Sequence, residues 1–274
     1  MNANEKMLLP DVQAGADSRQ LPIQSVGVKA LVHPVMVATR SGPQPSVATF
    51  DMGVALPADQ RGTHMSRFIE VLQNHRAPLS AASLRELMAA MLKRLDAREG
   101  SIEARFTSFI MKSAPVSGVQ SLMDYQVTLR AEQKAGRLKV VQQVVVPVMS
   151  LCPCSKKVAD YGAHNQRSHV TIAAELDGDL GIEEQVRFAE DAASAELWGL
   201  LKRQDEKYVT ERAYDNPKFV EDIVRDVALA LDREPRVAAF TVSAENFESI
   251  HNHSAFAVIE RTRRGAHQSN IRAG

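Results

Sequence analysis

The sequence predicts an α+β fold in which antiparallel sheets each carry a pair of helices on one face. Three observations carry that reading. Several segments alternate apolar and polar residues, others place apolar residues three and four apart, and the order strand, strand, helix, helix, strand, strand runs twice through the 274 residues. No residue-level repeat accompanies this order, so the duplication is one of pattern.

Residues 1–22 are polar and aperiodic and read as an arm. Val26 to Val37 is rich in Val and Leu, and Pro34 within it demotes it to an edge or bulged strand. Ala48, Phe50, Met52, Val54 and Leu56 alternate with Thr49, Asp51 and Gly53, as in a half-buried strand. A helix is expected from Ser66 to His75. A second starts at Ser80, a good N-cap, and runs along the stripe Leu84, Leu87, Met88, Met91, Leu92, Leu95. Ile102 to Ile110 and Val119 to Leu129 form two more strands around the turn Ala114–Gly118. A short turn at Lys134–Gly136 opens the second round. Its strands are Leu138–Val148 and His169–Leu176. Its helices are Glu183–Leu201 and Asn216–Leu231, and its closing strands are Val237–Ala244 and His253–Ile259. The units are therefore placed at 23–133 and 134–262, with a polar tail at 263–274. A four-stranded sheet covered on one face leaves its edges open, and joining sheets between subunits removes those edges. A homo-oligomer is expected on this ground.

The whole chain excludes several classes. Its formal net charge is zero, so no bulk field favours nucleic acid or an anionic membrane. No stretch reaches the roughly 18 apolar residues of a membrane span. The N-terminus lacks the apolar core of a signal peptide. The chain holds 2 cysteines, Cys152 and Cys154, too close for an unstrained disulfide and too few for a secreted scaffold. A cytoplasmic protein with reduced thiols is expected.

The chemistry concentrates in four segments. Met149 to His169 leaves an apolar strand and gathers Cys152, Cys154, Lys156, Lys157, Tyr161, His164, Asn165, Gln166, Arg167 and His169. A thiolate and an imidazole on one loop between paired strands can converge on a metal. Two cysteines and one histidine are too few for a closed structural zinc site, so an open one is expected. Lys202 to Arg225 carries Glu206, Glu211 and Glu221 among Lys and Arg. By composition it reads as an ion-paired helix end, apart from Glu221, which lies beside Phe219 and Val220 and could accept a pair of N–H donors. Ala244 to Ala255 carries Glu248, His251 and His253, and histidine can move protons near neutral pH. Leu56 to Arg67 places Arg61, His64 and Arg67 near a helix N-terminus, a natural anion site.

Together LPADQRGTHMSRF, SLCPCSKKVADYGAHNQRS, KRQDEKYVTERAYDNPKFVEDIVR and ENFESIHNHSA, with LPDVQ near the N-terminus, resemble the type IB GTP cyclohydrolase I family. The resemblance implies two tandem tunnelling-fold units, assembled as a homotetramer whose sheets close into barrels. It implies that GTP and water become 7,8-dihydroneopterin triphosphate and formate, the first step of tetrahydrofolate synthesis. It implies a divalent metal ion, Mn, Zn or Fe, held by Cys152 and His164 with Glu206 close by. Cys152 also matches the catalytic cysteine, and His251 and His253 match proton-transfer residues. Glu221 matches the purine anchor, with Glu248 its rival. Arg61, His64, Arg67, Lys156 and Arg167 are the candidates for the triphosphate. Two other readings compete: a nitrile reductase of queuosine synthesis, whose cysteine works without metal, and a metal-binding protein that leaves GTP untouched.

Overall fold

A computed structural model describes Gln13 and residues 15–262. The rest of the N-terminal arm, most of the LPDVQ motif and the 263–274 tail lie outside the described residues. The chain runs β1 (Ile23–Val37), β2 (Gln44–Leu56), α1 (Met65–Asn74), α2 (Ala81–Leu95), β3 (Gly100–Ser113), β4 (Gln120–Lys134), β5 (Arg137–Leu151), α3 (Pro153–Val158), β6 (Asn165–Leu176), α4 (Ile182–Ala192), α5 (Arg203–Asp215), α6 (Val220–Arg233), β7 (Val237–Asn246) and β8 (Ala255–Thr262).

All strands lie in one eight-stranded sheet in sequence order, each antiparallel to its neighbour. The sequence suggested two four-stranded sheets within the chain. Instead β4 pairs with β5 from Gln126↔Val145 to Lys134↔Arg137. The joint is a two-residue turn, Ala135 and Gly136, both at positive φ (48° and 78°). Such a turn matches the twist of the flanking strands and fuses the two halves edge to edge.

Period-two burial holds through the sheet. Phe50, Ile102, Leu129, Val144, Ile172 and Val242 face one layer of helices, against Leu84, Leu87, Met91, Ile223 and Val227. Helix α2 lies on β3 to β5, α4 on β5 and β6, and α6 on β7 and β8. Ser80 caps α2 as expected, accepting from Ser83 N at 3.1 Å while Ser83 Oγ accepts from Ser80 N at 2.9 Å. The opposite sheet face carries exposed Val32, Val47, Met111, Leu122, Phe256 and Val258, and among the described residues β1 and β8 are open edges. Residues 15–17, within the expected arm, bond to the loop before α1: Arg61 N donates to Gly15 O and Asp17 N to Asp59 O. Among the described residues, no helix is long and apolar enough to cross a membrane.

The second helical layer departs from expectation. The predicted helix Glu183–Leu201 ends at Ala192, because Ser194 and Ala195 instead bond to Met149 at the end of β5. Ala195 joins Leu151, Val209 and Ala213 in a second, small core, with Trp198 and Leu201 packed on it. This core pulls the chain straight and is joined by a full helix, α5, where the sequence suggested an ion-paired helix end. Lys207 and Glu211 do form the expected exposed pair on it, at 2.7 Å. Helix α6 then starts at Val220 rather than Asn216.

Candidate active site

The site begins where β5 ends. The β5–β6 register closes with Leu151↔Asn165, so the next pair outward is Cys152 and His164. Their backbones confirm the opposition: Cys152 N donates to His164 O at 3.1 Å. The eleven intervening residues are folded away as a short helix and a turn. Cys152 is the N-cap of α3, with Pro153 in its first turn, where a missing N–H costs nothing. Cys152 Sγ accepts from Ser155 N at 3.5 Å, while Ser155 Oγ donates to Cys152 O at 3.2 Å and accepts from His164 N at 3.2 Å. Gly162, at φ 116°, supplies the backbone turn that returns the chain to His164. Cys154 is exposed, because α3 turns it away from the strand ends that hold Cys152.

The His164 ring meets groups from two further places. Its Nδ1 lies 3.0 Å from Gln166 Oε1 on β6. The β7–β8 loop brings Ser249 Oγ to 3.4 Å and a Glu248 carboxylate oxygen to 4.0 Å from the same nitrogen. That loop is tied down by Phe247 N donating to Arg167 O at 3.0 Å and by the Phe247 ring edge-on to His169 at 4.9 Å. Beyond it His251 and His253 stack at 5.1 Å, both exposed.

The other predicted residues are placed as follows. Glu206 lies exposed in the first turn of α5. Among the described residues, no three His, Cys, Asp or Glu side chains converge closely enough to hold a metal ion. Sulfur and nitrogen donors stand opposed at Cys152 and His164, a fitting pair for a borderline divalent ion, but a carboxylate does not complete them within the chain. Glu221 was read as a carboxylate held among apolar residues. With α6 starting at Val220, the helix turns Val220, Ile223 and Val224 inward and leaves Glu221 exposed. Lys156 is already engaged, donating to Tyr214 O and lying 4.2 Å from the Tyr214 ring centroid. Arg167 is exposed on β6. Arg61, His64 and Arg67 lie at the N-terminus of α1, which packs on β1 and α2 in the other half of the chain.

Three sets of residues escaped the sequence reading. Ser150, Ser168 and Asn246 join Gln166, named there only as one of the loop's polar residues, in a buried chain of hydrogen bonds behind His164. Asp205 is buried beside Glu206 and accepts from Lys202 N, Val116 N, Ser117 N and Ser117 Oγ, tying α5 to the β3–β4 turn. Burial raises its pKa, but these donors outweigh burial and hold the carboxyl below its usual range. Lys112, Glu190 and Glu196 make a buried charge cluster. A signal existed for some of these: strand alternation assigns Ser150, Ser168 and Lys112 to inward positions, in line with Val148, Val170 and Ile110.

Residues 9–257 match the sequence profile of the family described as type I GTP cyclohydrolase FolE2. A GTP cyclohydrolase FolE2 of Burkholderia vietnamiensis is 61% identical over 262 residues, covering 95% of this chain and 97% of that protein. One of Paraburkholderia xenovorans is 60% identical over 262 residues, covering 95% and 98%. Among solved structures, a highly active mutant urate oxidase of Bacillus sp. TB-90 superposes with a TM-score of 0.52 at 8% identity over 88% of this chain and 100% of that one. The uricase of Arthrobacter globiformis gives 0.52 at 9%, over 94% and 97%. These two likenesses concern the fold alone, an antiparallel sheet backed by helices. The sequence match runs through all four motif segments, including the loop that sets Cys152 against His164, and on that ground the chain belongs to the type I GTP cyclohydrolase FolE2 family.

Proposed function

We propose that the protein converts GTP and water to 7,8-dihydroneopterin triphosphate and formate, the entry to tetrahydrofolate synthesis, at a site centred on Cys152 and His164. The observation that carries the proposal is the β5–β6 register, which opposes a thiol and an imidazole at the open end of a rigid hairpin. Cys152 and His164 would hold a divalent ion (Mn, Zn or Fe), with Glu206 as the carboxylate that joins them. Such an ion, when bound, lowers the pKa of its water toward neutrality.

The chain's own groups carry the remaining steps. His251 or His253 donates a proton to N7 of guanine, which makes C8 a better electrophile for water. Opening of the imidazole ring, loss of formate and rearrangement of the ribose call for further proton transfers, for which the stacked pair offers two imidazoles. Glu221, with Glu248 as the alternative, accepts two N–H donors from the guanine edge. Arg61, His64, Arg67, Lys156 and Arg167 offer charge for the triphosphate. Several of these residues are far apart along the fold or exposed, which fits a site completed between subunits.

We infer a homotetramer of tandem tunnelling-fold units, 23–133 and 134–262, whose sheets close into barrels. Its support is the apolar helix-free face and the two open edge strands. Sedimentation is expected to show a tetramer, and an active monomer would refute the arrangement. The activity itself is tested by incubating the protein with GTP and Mn²⁺ or Zn²⁺ under reducing conditions, oxidising, and measuring neopterin fluorescence. No fluorescence with either ion sinks the proposal. Glu221→Gln is expected to keep bound metal but weaken GTP binding by a factor of about ten or more, since a hydrogen bond to a charged acceptor, lost against the bound guanine edge, is worth roughly 1.5–3 kcal/mol. Unchanged GTP affinity in that variant moves the anchor to Glu248.

A further inference from the structure

Behind His164, four polar side chains occupy positions that strand alternation assigns to the core. Ser150 and Ser168 are fully buried, Asn246 is 3% exposed and Gln166 6%. Their neighbours two residues away, Val148 and Val170, are apolar and equally buried. The four come from three adjacent strands, β5, β6 and β7. Buried polar groups in such a place persist only as a satisfied network.

That network has a direction. Ser168 Oγ donates to Asn246 Oδ1 at 2.7 Å. A hydroxyl has one proton, so Ser168 must accept across its 2.8 Å contact with Ser150 Oγ, and Ser150 is the donor there. With its proton spent, Ser150 accepts from Gln166 Nε2 at 2.9 Å. The amide nitrogen of Gln166 is thereby turned toward Ser150 and its oxygen toward His164 Nδ1, at 3.0 Å. An amide oxygen only accepts, so the ring proton sits on Nδ1 and the Nε2 lone pair is left open. With the amide turned the other way, its NH₂ would occupy the Nδ1 lone pair and put the ring proton on Nε2.

We propose that Gln166 is a positioning residue for the metal site: its side-chain oxygen, oriented by Asn246, Ser168 and Ser150, holds the His164 ring with its proton on Nδ1 and presents Nε2 as the metal-binding atom. This rests on the reading above that Cys152 and His164 hold the ion. Ser249 and Glu248 approach the same nitrogen at 3.4 and 4.0 Å from an exposed loop. Gln166 is closer and is the member of the three that is locked in the core. The relay also links the metal-binding hairpin to Asn246, the last residue of β7 before the loop that carries His251 and His253.

The test is chelator competition on the full-length protein loaded with Zn²⁺, with melting temperature as a check on folding. Gln166→Met keeps the shape and removes the acceptor. It is expected to weaken Zn²⁺ binding by about 10- to 100-fold, the usual effect of losing a partner behind a ligating histidine. Gln166→Glu offers an acceptor in either orientation and is expected to bind Zn²⁺ within roughly threefold of wild type. Ser168→Ala removes the element that orders the relay. It should weaken binding on its own but not in the Gln166→Glu background, where orientation no longer matters. Wild-type affinity in Gln166→Met, or an equal loss in Gln166→Glu, overturns the proposal. If Gln166→Met does not fold, wild-type affinity in Ser168→Ala does so instead. Cys152→Ala separates the two levels. If it retains Zn²⁺ at wild-type affinity, the metal reading itself fails. If it loses Zn²⁺ while Gln166→Met does not, only the positioning role fails.

Discussion

Cys152→Ala is expected to abolish both bound metal and pterin formation, whereas Cys154→Ala keeps most of each. Cys152 leaves β5 directly opposite His164, with its backbone bonded to that residue and its sulfur accepting from Ser155 N. Cys154 lies on the outward side of the following helical turn and is exposed. If Cys152 holds the ion as proposed, its loss would forfeit several kcal/mol of transition-state stabilisation, so the rate should fall by about a thousandfold or more. Cys152→Ser is the stricter form, since it keeps the size but offers a poor ligand at neutral pH. Metal analysis and the fluorescence assay on the three variants decide the matter. A dead Cys154→Ala beside an active Cys152→Ala reverses the assignment, and normal turnover in both alanine variants removes the cysteine from the chemistry.

Lys112→Met is expected to be among the most destabilising single changes in the chain. Lys112 Nζ lies 2.6 Å from Glu190 and 2.7 Å from Glu196, and all three side chains are about nine-tenths buried. Tyr125 donates a further bond to Glu190 at 3.2 Å, and the ammonium lies 4.8 Å from the Trp198 ring centroid. Arg187 stands off at 3.8 Å from Glu190 and 3.6 Å from Glu196, and Arg212 at 3.8 Å from Glu196. The cluster joins the end of β3 to α4 and to the straightened segment that follows it. Deleting the central cation leaves two carboxylates buried around a gap, a loss of roughly 3–5 kcal/mol. Adding Glu190→Gln and Glu196→Gln should restore much of it.

The effect carries a pH signature. Burial pushes the Glu190 carboxyl above its ordinary value, and Lys112 only partly opposes this. Between the ordinary and the raised value the unfolded chain has released its proton while the folded protein still holds one. The Glu190 contribution is therefore complete below the ordinary carboxylate range and is lost as pH rises through the raised value. Without Lys112 the raised value climbs further. The deficit of Lys112→Met should thus grow as pH rises above the ordinary carboxylate range. Urea unfolding at fixed protein concentration measures it, and a deficit that stays flat or shrinks over that range contradicts the account.

Local pattern was enough to read the strands, four of the helices (one of them carried too far) and the chemical segments. Alternation and three-four spacing are properties of neighbours, and Ser80 announces α2 because a cap acts within one turn. The loop from Cys152 to His164 was legible by residue type, and the four motifs together carried the family.

Tertiary structure decided what depends on distant pairing. The fusion of both halves into one sheet rests on a two-residue turn whose alternatives look alike in sequence. The helix expected through Leu201 breaks at Ala192 because Met149, more than forty residues earlier, takes its backbone groups, a competition that helix propensity does not contain. The opposition of Cys152 to His164 is a matter of register, and one residue of slip would separate them. The relay from Asn246 to His164 draws on three strands and on hydroxyls whose single protons must be shared in order, a constraint that exists only once those strands lie side by side.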